Sequence, residues 1–277
     1  MTALIDESVA MLRLGFDEAC VAIEHIGVDA DYQRPLSESK LRKMVLYDVS
    51  LGGTVAINRR PDGTLFCFDG RHRVEAAART GYTYIPARIY HVTREKEARY
   101  FIELNWATLT VNPRDKFRAL LVARDDETCV INAEIEACGF WVDYQNTGRT
   151  AEGIAAIDAA RALCYRRNAA HGFDTALLRT TLHLIHSTWQ GQPANATGYM
   201  LRATAAVYGQ ALLVGRSVED TFAEKLFWYT PTSLARAGAS VAKDYKVPLW
   251  RGMGEKMIVE LNAKLPQNSR NRIPPLV

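Results

Sequence analysis

Apolar and polar positions along the chain fall into two regimes. Up to about Val92 the apolar residues come in short runs. Cys20 to His25 alternates like a strand, and Thr54 to Asn58 and Thr64 to Phe68 form two more short stretches. Arg59-Arg60-Pro61-Asp62-Gly63 separates the last two, and Asp-Gly between such runs predicts a hairpin. Val74 to Arg79 then reads as a helix, Gly81 closes it, and Ile85 to Tyr90 returns to strand. Ser37 is placed to cap a helix running to about Tyr47, with Leu41, Met44 and Val45 on one face. Thr93 caps a helix through about Glu103, and Asn112-Pro113 opens another with Phe117, Leu120 and Leu121 at core spacing. A further helix, about Glu127 to Ala137, ends at Cys138-Gly139.

Beyond Thr150 the spacing is helical throughout: Ala151 to Arg166, Asp174 to Trp189, Thr197 to Leu213, Val218 to Phe227 and Thr232 to Lys243. Ser217 stands as the N-cap of the fourth of these, with Asp220 three residues on. Strand signals stop after about Val92. The expected plan is α+β: a mixed part over 1–125, then an all-helical part over 126–277. Before the first strand, Val9 to Phe16 is amphipathic, a short helix or an arm. The last segment, Lys256 to Val277, looks like a basic polar tail, either a disordered end or an arm that contacts nucleic acid.

Composition narrows this only modestly. The 277 residues are 48% hydrophobic and 23% charged, ordinary for a globular chain. A net charge of +3 is too small to argue for nucleic acid without local clustering. Five scattered cysteines without a CxxC pair argue against a disulfide framework or zinc site, and fit a reducing compartment. The N-terminus lacks the pattern of a signal peptide, and no stretch approaches the 18 or so apolar residues of a membrane span. The expectation is a soluble, cytoplasmic chain with no membrane partner.

The chemistry concentrates at Asp69-Gly70-Arg71-His72-Arg73, between a buried strand and a helix start. Helix N-termini attract anions through their unpaired N–H groups and dipole, and guanidinium groups there suit a phosphate. Asp69 is the nearest candidate metal ligand or base, and it would serve equally as a helix cap. His72 could donate to a phosphate oxygen, move a proton, or simply hydrogen-bond within the core. Asp29, Asp31 and Glu38 on the segment entering the turn are further acids. His183 and His186 lie three apart on a helix, without companions for a metal.

Three patches resemble the ParB/sulfiredoxin superfamily, which includes the ParB N-terminal domain, sulfiredoxin, free-serine kinases and phage ParB-like nuclease proteins. Tyr32-Gln33-Arg34-Pro35 resembles the loop that enters that fold. Phe68 to Arg73 with Ala76-Ala77 resembles its phosphate-binding box, and Asn105 to Asp115 resembles the segment that opens ParB's helical DNA-binding part. Arg71 stands where sulfiredoxin keeps its cysteine, so sulfinic-acid reduction is not expected. Leu104 and Thr108 stand where ParB has a glutamate and an arginine.

The resemblance implies a small mixed sheet in the N-terminal domain and a DNA-associated protein in a bacterial or phage-infected cell. It implies that Gly70, Arg71, His72, Arg73, Arg34, Gln33 and Asn105 hold a nucleotide or DNA phosphate. Asp69, His72 and Asp31 are then the catalytic candidates, with Asp69 a weak metal ligand. The implied cofactor is a nucleoside triphosphate, ATP or CTP, with Mg²⁺. The chemistry would be NTP hydrolysis or phosphodiester cleavage, with DNA as partner and room for a homodimer. Two other readings stay open: a kinase-like phosphotransferase on a small molecule or modified base, and a non-catalytic DNA- or protein-binding module.

Overall fold

A computed structural model describes residues 15–106, 112–145, 150–165 and 172–276. The chain divides into two compact units, Met1–Arg124 and Asp125–Val277.

The first unit is built on a five-stranded mixed sheet ordered β1-β5-β3-β4-β2. Its strands are β1 (Phe16–Ala22), β2 (Ile26–Gly27), β3 (Val55–Arg59), β4 (Leu65–Asp69) and β5 (Tyr84–Tyr90). The β3–β4 hairpin is antiparallel and turns at Asp62-Gly63, where Gly63 takes φ +83° and Asp62 Oδ1 accepts from the Thr64 amide at 3.0 Å. β4 returns the chain after β3, and α2 (Arg71–Arg79) then leads from the end of β4 into β5, which runs parallel to β3. Side chains alternate across the sheet as a strand requires. Val55, Ile57, Cys67, Ile85 and Ala87 form one face, with Ala77 of α2 in the same cluster. Ala56 and Phe68 form the other, under α3 (Arg94–Trp106) and α4 (Pro113–Val122), which supply Phe101, Ile102 and Ala119. The sheet is thus the middle of three layers.

Ser37 does cap a helix, accepting from the Lys40 amide, but α1 spans only Glu38–Arg42. The residues after it bond i to i+3 (Lys43 to Lys40, Met44 to Leu41, Tyr47 to Met44), so the chain tightens into turns instead of continuing to Tyr47. Consequently Val45 and Leu46 are exposed. Strand β1 starts earlier than Cys20, and Ile23–His25 is a 3₁₀ turn. Thr93 and Asn112 cap α3 and α4 as expected, through bonds from Lys96 N and Arg114 N.

Among the described residues the second unit is helical apart from one small parallel pair and an isolated bridge between Tyr165 and Phe173. Its helices are α5 (Asp126–Ala137), α6 (Ile157–Ala162), α7 (Ala176–Trp189), α8 (Gly198–Leu213), α9 (Glu219–Leu226), α10 (Pro231–Tyr245) and α11 (Leu249–Asn262). The pair, β6 (Trp141–Val142) with β7 (Gly153–Ile154), corrects the expectation of no strands after Val92. Its two-residue strands are too short to leave an alternation in the sequence. The helix expected over Ala151 to Arg166 shrinks to α6 for the same reason, since Gly153-Ile154 is used for pairing. Val218, not Ser217, is the N-cap of α9, and Ser217 instead donates its hydroxyl to Glu219.

The largest departure is α11, a helix in place of part of the expected tail. Met253, Met257, Ile258 and Leu261 bury one side of it, and α10 packs against it backbone to backbone. A Cβ on Gly252 would come within 2.2 Å of the Gly238 carbonyl oxygen, and one on Gly238 within 2.6 Å of the Met253 nitrogen, so neither position admits a side chain. The end of the chain is docked rather than loose. Ile273 is buried, its amide donates to Asn262 Oδ1 at 2.9 Å, and its carbonyl accepts from Asn262 Nδ2 at 2.8 Å. Among the described residues no helix is long and apolar enough to cross a membrane. Most of the amphipathic run (residues 9–14), residues 107–111, Arg149 and Arg166-Arg167 lie outside the described residues.

Candidate anion-binding cleft

The cleft lies where β4 gives way to α2. Asp69 ends the strand and Gly70 makes the corner at φ +91°, a left-handed conformation that a side chain disfavours. A Cβ there would also press on Val55 Cγ1 at 2.7 Å and on Arg73 NH2 at 2.9 Å. Gly70 is therefore the N-cap, and Asp69 is not the cap it could have been. The corner and the first residues of α2 line the cleft; a helix start leaves its opening N–H groups without i−4 partners, although the Arg73 amide donates to the Gly70 carbonyl at 2.8 Å. The cleft holds about 250 Å³ and is lined by Gln33, Arg34, Lys40, Met44 and Phe101 together with Phe68 to Arg73. Of the residues expected from the sequence, it gathers Gln33, Arg34, Asp69, Gly70, Arg71, His72 and Arg73.

Each side chain is held differently. Arg73 turns back into its own unit, donating from NH1 to the carbonyls of Gly52 (3.1 Å) and Thr54 (2.8 Å), and from NH2 to Asp69 Oδ2 at 2.9 Å. It is a brace for the 52–54 corner as much as a cation facing the cleft. Arg71 donates one NH1 bond to the Arg34 carbonyl. His72 Nε2 accepts from the Ser37 amide at 3.0 Å, which assigns its proton to Nδ1. Burial pushes the His72 pKa down, and the charges of Lys40, Arg34 and Arg71 push it further, so the ring is neutral near pH 7. Gln33 is buried and its amide donates to the Cys67 carbonyl at 2.9 Å.

Asp31 is not among the lining residues. Asp31 pairs with Arg94, beside Asp29, which Arg94 and Arg60 also bind at 2.7 and 2.6 Å. Burial raises the Asp29 pKa, but the bonds from Arg94 and Arg60 outweigh it and hold the carboxyl at about 2. Asn105 falls in the last turn of α3, and its side chain lies outside the described residues. Glu38 is ion-paired with Arg79.

The donor set does not suit a protein-held metal. Asp69 is the one carboxylate among the lining residues and is already bound by Arg73. Among the described residues no group of three or more His, Cys, Asp or Glu could hold an ion. A Mg²⁺ at this cleft would have to arrive on its phosphates.

Lys40, Met44 and Phe101 also line the cleft, a place the sequence does not assign them. Lys40 lies three residues beyond the Ser37 cap, on the turn that the His72–Ser37 bond fixes, and only that long-range bond identifies it. Asp115, at the end of the third patch, carries no role in the sequence reading. Burial raises its pKa, against the nearby charges of Arg34, Arg118 and Arg114.

No family model matches the chain, and no curated protein matches it. Among solved structures it is similar to the C-terminally truncated chromosome-partitioning protein ParB from Caulobacter crescentus complexed with CTP-gamma-S. The identity is 14% over 44% of this chain and 79% of that one, with a TM-score of 0.30. The same protein complexed to the centromeric parS site is 17% identical over 74% of this chain and 97% of that one, TM-score 0.32. A Pnob8-like ParB-N domain is 14% identical over 87% and 97%, TM-score 0.40. Superpositions this loose carry no residue's role across.

Proposed function

We propose that the cleft at the start of α2 binds the phosphate oxygens of a nucleoside triphosphate, ATP or CTP, or of a DNA backbone, in a ParB-like, DNA-associated protein. One observation carries the reading: Arg34, Lys40 and Arg71 line the same cleft as the first residues of α2. Cationic side chains at a helix N-terminus oppose the dipole unless an anion sits between them.

A second observation bears on turnover. The acid–base candidates are all engaged: Asp69 with Arg73, His72 through its Nε2 lone pair, and Asp31 with Arg94. This favours binding without hydrolysis over a nuclease or phosphotransferase activity.

The test is a thermal-shift series with ATP, CTP and inorganic triphosphate, each with and without Mg²⁺, on the wild type and on Arg71→Ala. Stabilisation grows with ligand concentration over Kd. A shift lost in Arg71→Ala, without released phosphate, supports ligand binding alone. Phosphate release or DNA nicking would return the enzymatic readings. No shift with any of the three compounds, and DNA binding unchanged in Arg71→Ala, would remove the proposal. DNA binding through the phosphate backbone should also weaken steeply with salt.

A further inference from the structure

Tyr32 is fully buried against Phe101, with ring centroids 5.5 Å apart, and its hydroxyl donates to Glu97, which is also fully buried. The two residues are 65 positions apart. Glu97 needs no tyrosine to be satisfied. It also accepts from Asn58 Nδ2 at 2.6 Å and from Arg60 Nε at 3.2 Å and NH2 at 2.8 Å. A phenylalanine at position 32 would fill the same space beside Phe101. The hydroxyl therefore adds direction rather than packing.

That direction matters because of the two residues next to Tyr32 in the chain. Gln33 reaches the Cys67 carbonyl on β4, and the Arg34 carbonyl takes the Arg71 guanidinium on α2. Three consecutive residues are thus tied to three elements: α3, β4 and α2. Arg34 is itself among the residues that line the cleft.

We propose that the Tyr32–Glu97 hydrogen bond aims Arg34 into the cleft, making Tyr32 and Glu97 positioning residues for anion binding. The inference rests on the phosphate-binding reading. A segment pinned at residue 32 cannot rotate to withdraw the side chain two residues on without breaking a bond to a buried carboxylate, and such bonds are among the stronger ones.

The experiment measures the Kd of inorganic triphosphate by titration calorimetry, well below the melting temperature. The proteins are the full-length wild type, Arg34→Ala, Tyr32→Phe, the double variant and Asn58→Ala. Arg34→Ala and Tyr32→Phe should each weaken binding about tenfold, the size of one hydrogen bond to a charged group. The double variant should bind no more weakly than Arg34→Ala, because Tyr32 acts through Arg34. Asn58→Ala loosens the same buried carboxylate without touching the Tyr32 bond. It should lower Tm yet keep Kd within about twofold, the usual limit of additivity.

Additive losses in the double variant would overturn the positioning role. So would an unchanged Kd in Tyr32→Phe or Arg34→Ala, or an Asn58→Ala loss as large as that of Tyr32→Phe. A wild type that does not bind triphosphate would instead remove the phosphate reading itself, so the two failures are distinguishable.

Discussion

The Ser37 amide donates to His72 Nε2 across 3.0 Å, joining the cap of α1 to the second residue of α2. The acceptor is a lone pair that exists only on a neutral ring. Protonating His72 would replace it with a second N–H facing the Ser37 N–H, and would add a positive charge beside Lys40, Arg34 and Arg71.

The folded state therefore prefers neutral His72, with a pKa below the ordinary 6.5. Below that value the unfolded chain takes up the proton more readily, so stability is full above about pH 6.5 and falls as the pH drops beneath it. The groups facing the ring from α1, α2 and the entering segment are Lys40, Arg71 and Arg34, all cationic, and none offsets the effect. Measured as Tm against pH, His72→Gln should flatten this part of the curve. Nitrogen NMR of the ring should show the proton on Nδ1 at pH 7.

Asp29 gives the opposite sign of pKa shift to a raised, neutral-preferring acid, and acts at lower pH. Its carboxyl is held at about 2, from an ordinary 3.8, so its contribution is present above pH 3.8 and is lost as the pH falls toward 2. Asp29→Asn should reduce stability at neutral pH and make the acid limb between those values shallower, read by urea unfolding at each pH.

Arg73 and Arg71 should behave differently although they are two residues apart. Arg73→Ala removes two bonds to carbonyls and one to Asp69, at a cost of about 1–3 kcal/mol per group left unsatisfied. Its Tm should fall with or without ligand. Arg71→Ala gives up a single bond to a carbonyl and should keep the apo Tm within a few degrees while losing the ligand shift. Equal apo Tm losses in the two variants would contradict the brace role of Arg73.

Ile273→Ala tests whether the C-terminal segment is part of the core. The side chain is buried beneath the paired Asn262 bonds, and truncating a buried isoleucine costs about 2–5 kcal/mol. Denaturant unfolding should register that loss. A change under about 0.5 kcal/mol, typical of surface positions, would mean a loose tail.

These cases show what the sequence could and could not disclose. The Asp62-Gly63 hairpin, the Gly70 corner, the Ser37 cap and the Asn112-Pro113 start are local signals, each legible because one residue's backbone preference decides it. Helix α11 was hidden because Pro248 precedes it and Gly252 and Gly254 interrupt it, which reads as a helix breaker until α10 is seen against those glycines. The polar end of the chain looked unattached because its anchors, Asn262 and Glu255, lie several residues upstream. At the cleft, the turn itself was visible, but the bonds that hold Tyr32, Gln33, Arg71 and His72 join residues 34 to 65 positions apart. No window on the sequence contains both ends of such a bond.

The contact between Gly238 and Gly252 has a mechanical corollary. Where main chain meets main chain there is no pliable cushion of methyl groups to absorb sliding or twisting, so α10 and α11 form a stiff strut. Any adjustment of the second unit would then move α10 and α11 together, as one piece.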